Sequence, residues 1–285
     1  MNWLIEHFTS GQAFFSGTVC IIPAGALAAR SRLQGRGSRV LAVVGLLLVA
    51  ASATPLDYRF YGLAGVLSLA WLIFERRGDA TARRTVVALR AGVLIVWLAG
   101  VGQELPYHFL PALERAEARR LIVFGDSVTA GLGRETTWPT ILRREHELEV
   151  VDLSRIGATA SMAASLAEHA PLDTGLVLIE IGGNDLFGDA DPDKFAAGLD
   201  RLLKRVSGKG RDVVMFELPL PPLFGEFGRV QRRAAKKYGV KLIPKRVLMG
   251  VLSRREATSD SIHLTRNGQQ AMARAVWRIV ADGFD

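Results

Sequence analysis

The sequence predicts an α/β domain with a parallel sheet, preceded by an all-helical membrane domain. Two observations support this division. Residues 1–102 contain four apolar stretches with almost no internal charge. From residue 121 onward, short apolar runs alternate with helical patterns, as parallel strands joined by helices do. The predicted organisation is a transmembrane domain at 1–102, a connector at 103–120 and a globular domain at 121–285.

The apolar stretches predict transmembrane helices near residues 13–30, 40–56, 58–75 and 85–102. Each is close to the lower end of the roughly 17–25 residues that span a bilayer. A soluble helical bundle is the alternative, but four such stretches would leave little polar surface to face water. Arg90, inside the last stretch, is expected to extend toward the nearer membrane surface.

The positive charge of the chain is concentrated in this region. The chain carries 36 Lys and Arg against 28 Asp and Glu. Residues 1–102 hold ten Arg, no Lys and four acidic residues, whereas the remainder is nearly balanced. This distribution favours a membrane over a nucleic acid as the partner. Protein partners are left open.

The arginines cluster in the first and third loops between the apolar stretches, at Arg30, Arg32, Arg36 and Arg39 and at Arg76, Arg77, Arg83 and Arg84. The positive-inside rule places both loops in the cytoplasm, so everything after residue 101 lies outside. For a bacterial protein, this predicts a multi-pass protein of the cytoplasmic (inner) membrane. Its globular domain would then lie on the periplasmic side.

Five apolar runs predict the strands of one doubly wound sheet, at 121–124, 149–153, 176–181, 213–218 and 241–243. Helical patterns fall at 138–144, 161–169, 194–206, 229–238 and from 266 or 267 to about 281, and a short charged helix could occupy 113–120. Continuous apolar runs are expected of parallel strands that are covered on both faces. Such folds place their sites at the carboxyl ends of the strands.

Four short segments carry residues suited to ester hydrolysis, and three of them follow predicted strands. They are Gly125-Asp126-Ser127, Gly157, Gly182-Gly183-Asn184-Asp185 and, before the last helix, Asp260-Ser261-Ile262-His263. Each alone could be an ordinary turn or helix cap. Their order and their strand-end positions make coincidence a poor explanation of all four.

The residue types match the chemistry of a serine nucleophile. A hydroxyl needs a base to take its proton, and His263 is the candidate base for Ser127. Asp260 could orient the imidazole. The backbone N–H groups of Ser127 and Gly157 and the side-chain amide of Asn184 could stabilise the oxyanion. A metal site is not expected, because no His, Cys or Asp cluster has ligand spacing.

These segments resemble the four sequence blocks of the SGNH hydrolases, or GDSL-type esterases, over roughly residues 119–285. They are most similar to the thioesterase/lysophospholipase/arylesterase-like branch. The resemblance implies an SGNH-hydrolase-like three-layer domain in which Ser127, Asp260 and His263 form the catalytic triad. It also implies that Gly157 and Asn184 complete the oxyanion hole and that no cofactor is needed. Val128 stands where the GDSL name has leucine, which affects no catalytic residue.

Substrate contacts are less defined by the sequence. Phe187 follows the Asn184 segment, while Leu223 and Phe224 lie in a Pro- and Gly-rich loop after the fourth strand. These side chains could line an acyl pocket, although an ordinary covered loop explains the last two equally well. Further on, basic residues at helical spacing predict one basic stripe at Arg229, Arg232, Arg233, Lys236 and Lys237. A solvated face explains such a stripe, with anionic lipid or glycan contact as the alternative.

The leading hypothesis is a membrane-anchored extracytoplasmic serine esterase acting on acyl or acetyl esters of lipids or envelope glycans. An acyltransferase that passes the acyl group to a glycan hydroxyl is the second hypothesis, since the same triad serves both reactions. The third is a non-catalytic subunit of a membrane assembly, because four spans exceed what simple tethering requires.

Overall fold

A computed structural model of the chain describes residues 3–27, 32–77, 82–133, 135–188 and 190–284. The chain divides into two compact units. One comprises residues 1–6, 107–219 and 226–285, and the other comprises residues 7–106 and 220–225. They are called the α/β unit and the helical unit below, and each is described by itself.

The N-terminal third is helical, as the sequence predicts. Its helices are α1 (Trp3–Thr9), α2 (Gln12–Leu27), α3 (Arg32–Ala51), α4 (Tyr58–Arg77) and α5 (Ala82–Glu104), followed by a 3-10 turn at Leu105–His108. Arg30, which belongs to the first arginine-rich loop of the sequence, lies outside the described residues. The helical unit packs around buried aromatic side chains, among them Phe14, Trp71 and Trp97.

Helices α3, α4 and α5 also carry exposed apolar stripes. Exposed valine, leucine and isoleucine side chains recur three or four residues apart, at Val40, Val43, Val44 and Leu47 on α3 and at Leu63, Val66, Leu69 and Ile73 on α4. Val87, Ile95 and Leu98 are exposed on α5. This part of the chain therefore has an apolar interior and an apolar exterior.

Among the described residues, one helix is long and apolar enough to cross a membrane by length and composition. It spans Arg83–His108, and an 18-residue stretch within it has a mean hydropathy of 1.9. The helix at Gln12–Ala26 is apolar but shorter. Helix α3 begins in the arginine-rich segment, and α4 ends with Glu75, Arg76 and Arg77, so charge shortens the apolar part of both.

Arg90 does not extend to a surface as its position suggested. Its guanidinium bonds both carboxylate oxygens of Glu75 on the neighbouring helix, at 3.1 Å from Nε and 2.5 Å from Nη2. The indole of Trp71 donates a further hydrogen bond to Glu75 Oε2 at 2.9 Å. A bidentate pair of this kind compensates the burial of both charges.

The α/β unit alternates strands and helices. Its strands are β1 (Arg120–Gly125), β2 (Glu149–Asp152), β3 (Gly175–Glu180), β4 (Arg211–Phe216) and β5 (Lys241–Ile243). Its helices are α6 (Ser127–Ala130), α7 (Trp138–His146), α8 (Ala160–His169), α9 (Gly183–Phe187), α10 (Pro192–Val206), α11 (Gly225–Tyr238), α12 (Lys245–Leu252) and α13 (Arg266–Val280). Each predicted strand is confirmed to within two residues at either end.

In the described part of the chain, the strands form one parallel sheet in the order β2-β1-β3-β4-β5. Strand β3 lies at the centre and is buried along its whole length. Because β1 and β3 pair in register, with Gly125 opposite Glu180, the segments that follow both strands emerge side by side. This pairing brings the predicted functional segments to one edge of the sheet.

One expectation for this unit is corrected, and one further helix had no counterpart in the sequence analysis. Residues 113–119 form no helix, because their polar groups bond distant parts of the chain: Ala116 N–H donates to Gly283 O at 2.7 Å, and Glu114 N–H to Asp212 Oδ2 at 3.1 Å. Helix α12, which the sequence pattern did not indicate, follows β5 directly.

The predicted basic stripe on α11 is largely paired with acidic groups. Arg232 is only 8% exposed, bonds Glu217 Oε1 at 2.6 Å and stacks on the ring of Tyr107. Arg229 and Arg233 bond Glu226, and Lys237 bonds Asp200. The helical spacing is therefore as expected, but Arg232 belongs to the interior and the stripe is not a free cationic surface.

Candidate active site

Ser127 lies at the junction between strand β1 and the short helix α6. Strand β1 ends at Gly125, and Asp126 caps α6 by accepting a hydrogen bond from Val128 N–H at 2.9 Å. A Cβ at Gly125 would collide with the Thr129 side chain, so glycine permits the tight turn. The cap fixes Ser127 as the first residue of α6, where the residue is buried.

His263 links Ser127 to Asp260. The imidazole Nε2 lies 3.1 Å from Ser127 Oγ, and Nδ1 lies 2.5 Å from Asp260 Oδ2. With Nδ1–H donating to the carboxylate, Nε2 is left as an acceptor for the serine proton. The three side chains that the sequence singled out thus form one hydrogen-bonded chain, although Asp260 and His263 are 133 and 136 residues from Ser127.

A tight turn holds Asp260 and His263 together. Asp260 Oδ1 accepts hydrogen bonds from the backbone N–H groups of Ile262 at 3.1 Å and His263 at 2.9 Å. Ser261 adopts a φ of 80°, which is strained for a residue with a Cβ. The His263 N–H bond, then the His263 side chain, hold the pKa of Asp260 at about 2, so this carboxylate is ionised at neutral pH.

Gly157 and Asn184 come from the turns after β2 and β3. Gly157 has a φ of 73°, and a Cβ built on it would meet open space, so the backbone is accessible there. Asn184 belongs to the first turn of α9, and its Nδ2 lies 3.1 Å from Ala158 O and 3.4 Å from Asp126 Oδ2. These two contacts fix the orientation of the Asn184 amide close to the turn at Gly157.

The structure also reveals a buried carboxyl pair that the sequence analysis missed. Glu180, the last residue of β3, accepts a hydrogen bond from Thr129 Oγ1 at 2.9 Å, and its backbone carbonyl accepts the N–H of the equally buried Asp126 at 3.2 Å. Burial raises the pKa of Asp126 to about 6, and burial followed by the Asp126 charge raises the pKa of Glu180 well above its usual range. The available signal was one acidic residue inside the otherwise apolar run at 176–181.

The three candidate pocket residues lie in different places. Phe187 ends α9 and is exposed, three residues beyond Asn184. Leu223, 92% exposed, and Phe224 lie in residues 220–225, which are grouped with the helical unit. Only Phe187 is therefore placed beside the other site residues by its own element, and its contact with a substrate remains a prediction.

Within the residues that the structure describes, no three His, Cys, Asp or Glu side chains are arranged to hold a metal ion. The chemistry available at this edge of the sheet is that of a hydroxyl, an imidazole and a carboxylate. A serine, a histidine and an aspartate joined in this way at the carboxyl edge of a parallel α/β sheet define a serine hydrolase.

Comparisons with known proteins specify the family. A sequence model of the GDSL-like Lipase/Acylhydrolase family matches residues 123–271, which is more than half of the chain. The chain therefore belongs to this family and is a serine hydrolase with esterase or acylhydrolase activity.

Two relatives and one solved structure illustrate the similarity. Esterase TesA of Pseudomonas aeruginosa is 30% identical over 183 residues, covering 58% of this chain and 89% of its own length. Thioesterase 1/protease 1/lysophospholipase L1 of Escherichia coli K12 is 29% identical over 185 residues, covering 59% and 88%. A structure of the psychrotrophic esterase EstA from Pseudoalteromonas sp. aligns with a TM-score of 0.50 at 19% identity, over 57% of this chain and 97% of EstA, which shows the shared fold.

Proposed function

We propose that this chain is a membrane-anchored extracytoplasmic serine esterase that hydrolyses acyl or acetyl esters of lipids or envelope glycans. The hydrogen-bonded chain from Asp260 through His263 to Ser127 Oγ carries the catalytic part of the proposal. In it Ser127 is the nucleophile, His263 the general base and Asp260 the orienting acid. The names of the two relatives, an esterase and a thioesterase/lysophospholipase, support acyl esters as the substrate class.

The proposed reaction proceeds through an acyl-enzyme. His263 Nε2 takes the Ser127 proton while Oγ bonds the substrate acyl carbon and the carbonyl electron pair moves onto oxygen. Ser127 N–H, Gly157 N–H and the Asn184 amide stabilise that oxyanion. The bond to the leaving alcohol then breaks, and the alcohol takes the proton from His263. Water repeats the two steps, which releases the acid and restores Ser127.

The orienting role of Asp260 follows from its charge. An ionised carboxylate beside Nδ1 favours the tautomer with the proton on Nδ1 and stabilises the imidazolium formed during the reaction. Because the pKa of Asp260 is about 2, this carboxylate stays charged throughout the pH range in which a histidine base works.

The membrane anchoring rests on separate observations. The helix at Arg83–His108 has the length and composition of a span. The apolar side chains exposed on α3 and α4 recur at helical spacing, which suits a lipid-facing surface. With the four spans and the arginine-rich loops predicted from the sequence, these features support an inner-membrane protein whose Ser127 faces the periplasm.

An ester panel tests the proposed reaction. We expect the purified full-length protein to hydrolyse 4-nitrophenyl esters from acetyl to dodecanoyl, lysophospholipid and acetylated glycan, with one class clearly preferred. A serine-directed fluorophosphonate should label the same preparation. Well-folded protein that neither labels nor hydrolyses any member of the panel would contradict the esterase proposal.

A reporter experiment tests the membrane topology. We expect alkaline phosphatase, which is active only outside the cytoplasm, to be active when fused after Asp285 and inactive when fused within residues 78–81, between the third and fourth predicted spans. Green fluorescent protein at the same two points should give the opposite pattern. Activity of the phosphatase at 78–81, or fluorescence after Asp285, would reverse the orientation, and recovery of the untagged chain in the soluble fraction would refute anchoring.

A further inference from the structure

Glu180 is a buried acidic side chain next to the turn that carries Ser127. It ends the central strand β3, is 3% exposed and lies opposite Gly125 in the β1–β3 pairing. Its backbone carbonyl accepts the Asp126 N–H at 3.2 Å. The proposed mechanism does not use this carboxyl group, and its burial requires an explanation because a desolvated carboxylate is costly.

The neighbours of Glu180 define how its two oxygens are used. Thr129 Oγ1 donates to Oε2 at 2.9 Å, so this oxygen is an acceptor. Asp126 is equally buried and directly follows Gly125, which lies opposite Glu180 in the sheet, so the two acidic side chains are close neighbours. Two neighbouring buried carboxylates repel each other, which favours a proton on one of them, and such a proton can join the two groups by a hydrogen bond.

Asp126 is the better site for the negative charge. Its Oδ1 accepts the Val128 N–H at 2.9 Å, its Oδ2 faces the Asn184 amide at 3.4 Å, and His263 also favours its ionised form. Only the Asp185 charge acts in the opposite direction through space. Glu180 receives the Thr129 hydroxyl but faces the Asp126 charge, which favours its neutral form.

We propose that Glu180 is a positioning residue that, as a neutral acid, donates a hydrogen bond to Asp126 and thereby fixes the Asn184 amide for oxyanion binding. The inference rests on the esterase function proposed above. Glu180 acts on Asn184 through Asp126. One oxygen of Asp126 holds the turn that presents Ser127, and the other holds the amide of Asn184. Oδ2 also lies so close to Gly183 that a Cβ there would be 3.1 Å away, which leaves the carboxylate little room to shift.

Two substitutions at Glu180 separate this role from simple packing. Glu180→Gln keeps a donor toward Asp126 and an acceptor toward Thr129, whereas Glu180→Leu keeps the volume but removes both. We expect Glu180→Leu to lower kcat about 10- to 100-fold with KM changed less than about twofold, as loss of a supporting hydrogen bond does. Glu180→Gln should retain kcat within about threefold of the wild type.

Infrared spectroscopy tests the protonation state without relying on activity. At pH 8, the wild-type protein should show the carbonyl stretch of one neutral carboxylic acid, and Glu180→Gln should lack it. A wild type without this band would overturn the proposal even if the enzyme is active. An inactive wild type that shows the band, and loses it in Glu180→Gln, would refute the esterase function while leaving the carboxyl pair in place.

Glu217 supplies the matched control. It follows the neighbouring strand β4, is as buried as Glu180, and bonds Arg232 instead of Asp126. Glu217→Gln should lower the melting temperature but leave both kcat and the infrared band unchanged. Equal loss of kcat in Glu180→Gln and Glu180→Leu, or wild-type kcat in a folded Glu180→Leu, would overturn the positioning role. If Glu180→Leu does not fold, the kcat of Glu180→Gln and the infrared band decide the matter.

Discussion

Replacing Ser127 with alanine is expected to lower kcat/KM for ester hydrolysis by about 10³- to 10⁶-fold, which is the range seen when a catalytic serine is removed. His263 lies 3.1 Å from Ser127 Oγ, so without this hydroxyl the base has no nucleophile to activate. The measurement is kcat/KM on the ester that the panel prefers, together with loss of fluorophosphonate labelling. Ser165→Ala is the matched control, because its hydroxyl bonds Ser161 O within its own helix.

The same experiment can show that Ser127 and His263 act as a unit. If Ser127 and His263 serve one proton transfer, the double variant Ser127→Ala/His263→Ala should be about as slow as Ser127→Ala alone. Multiplication of the two losses would mean that the residues act independently. Retained hydrolysis and labelling in Ser127→Ala would assign the nucleophile to a different side chain.

Replacing Asn184 with alanine is expected to lower kcat about 10²- to 10³-fold, because this is the usual effect of removing one oxyanion donor. KM should change little, since the hydrogen bond strengthens in the transition state and not in the bound substrate. The two hydrogens of Nδ2 face Ala158 O and Asp126 Oδ2, so the hydrogen on Ala158 O must turn to the oxyanion while Asp126 keeps the other. The measurement is steady-state kinetics on the preferred ester, with the melting temperature recorded in parallel.

Asn267→Ala provides the control for Asn184→Ala. Asn267 lies in the first turn of α13 and is exposed, so its loss should leave both kcat and KM unchanged. A rise in KM at constant kcat in Asn184→Ala would place the amide in substrate binding instead of oxyanion stabilisation. Unchanged kinetics would remove Asn184 from the site.

The positions of Ser127 and Asn184 could be predicted from the sequence because a parallel sheet imposes them. Each residue follows an apolar run, and parallel strands bring their carboxyl ends to the same edge. His263 and Asp260 could be paired because three residues separate them. Glu180 could not be found in this way, since its partners depend on the register between β1 and β3, which no local pattern encodes.

The charged residues show the same limit. Helical spacing predicted the common face of Arg229, Arg232 and Arg233, but not that Arg232 would bond buried Glu217. Likewise, the sequence located Arg90 within an apolar helix, while its partner Glu75 follows from the pairing of α4 with α5. Periodicity defines which residues share a face, whereas the neighbour of that face is decided by tertiary packing.

The active site consists of two separately anchored parts. One is the turn that carries Asp260 and His263, and the other is the segment that carries Ser127. Asp260 bonds the backbone and the ring of His263, so the base and the orienting acid move together. Ser127, in contrast, is anchored to the central strands through β1. The distance that can change between these two parts of the site is the one from His263 Nε2 to Ser127 Oγ. Heat or denaturant can therefore inactivate the enzyme by displacing the surface turn of Asp260 and His263 while the sheet stays folded. Inactivation should then precede the loss of secondary structure.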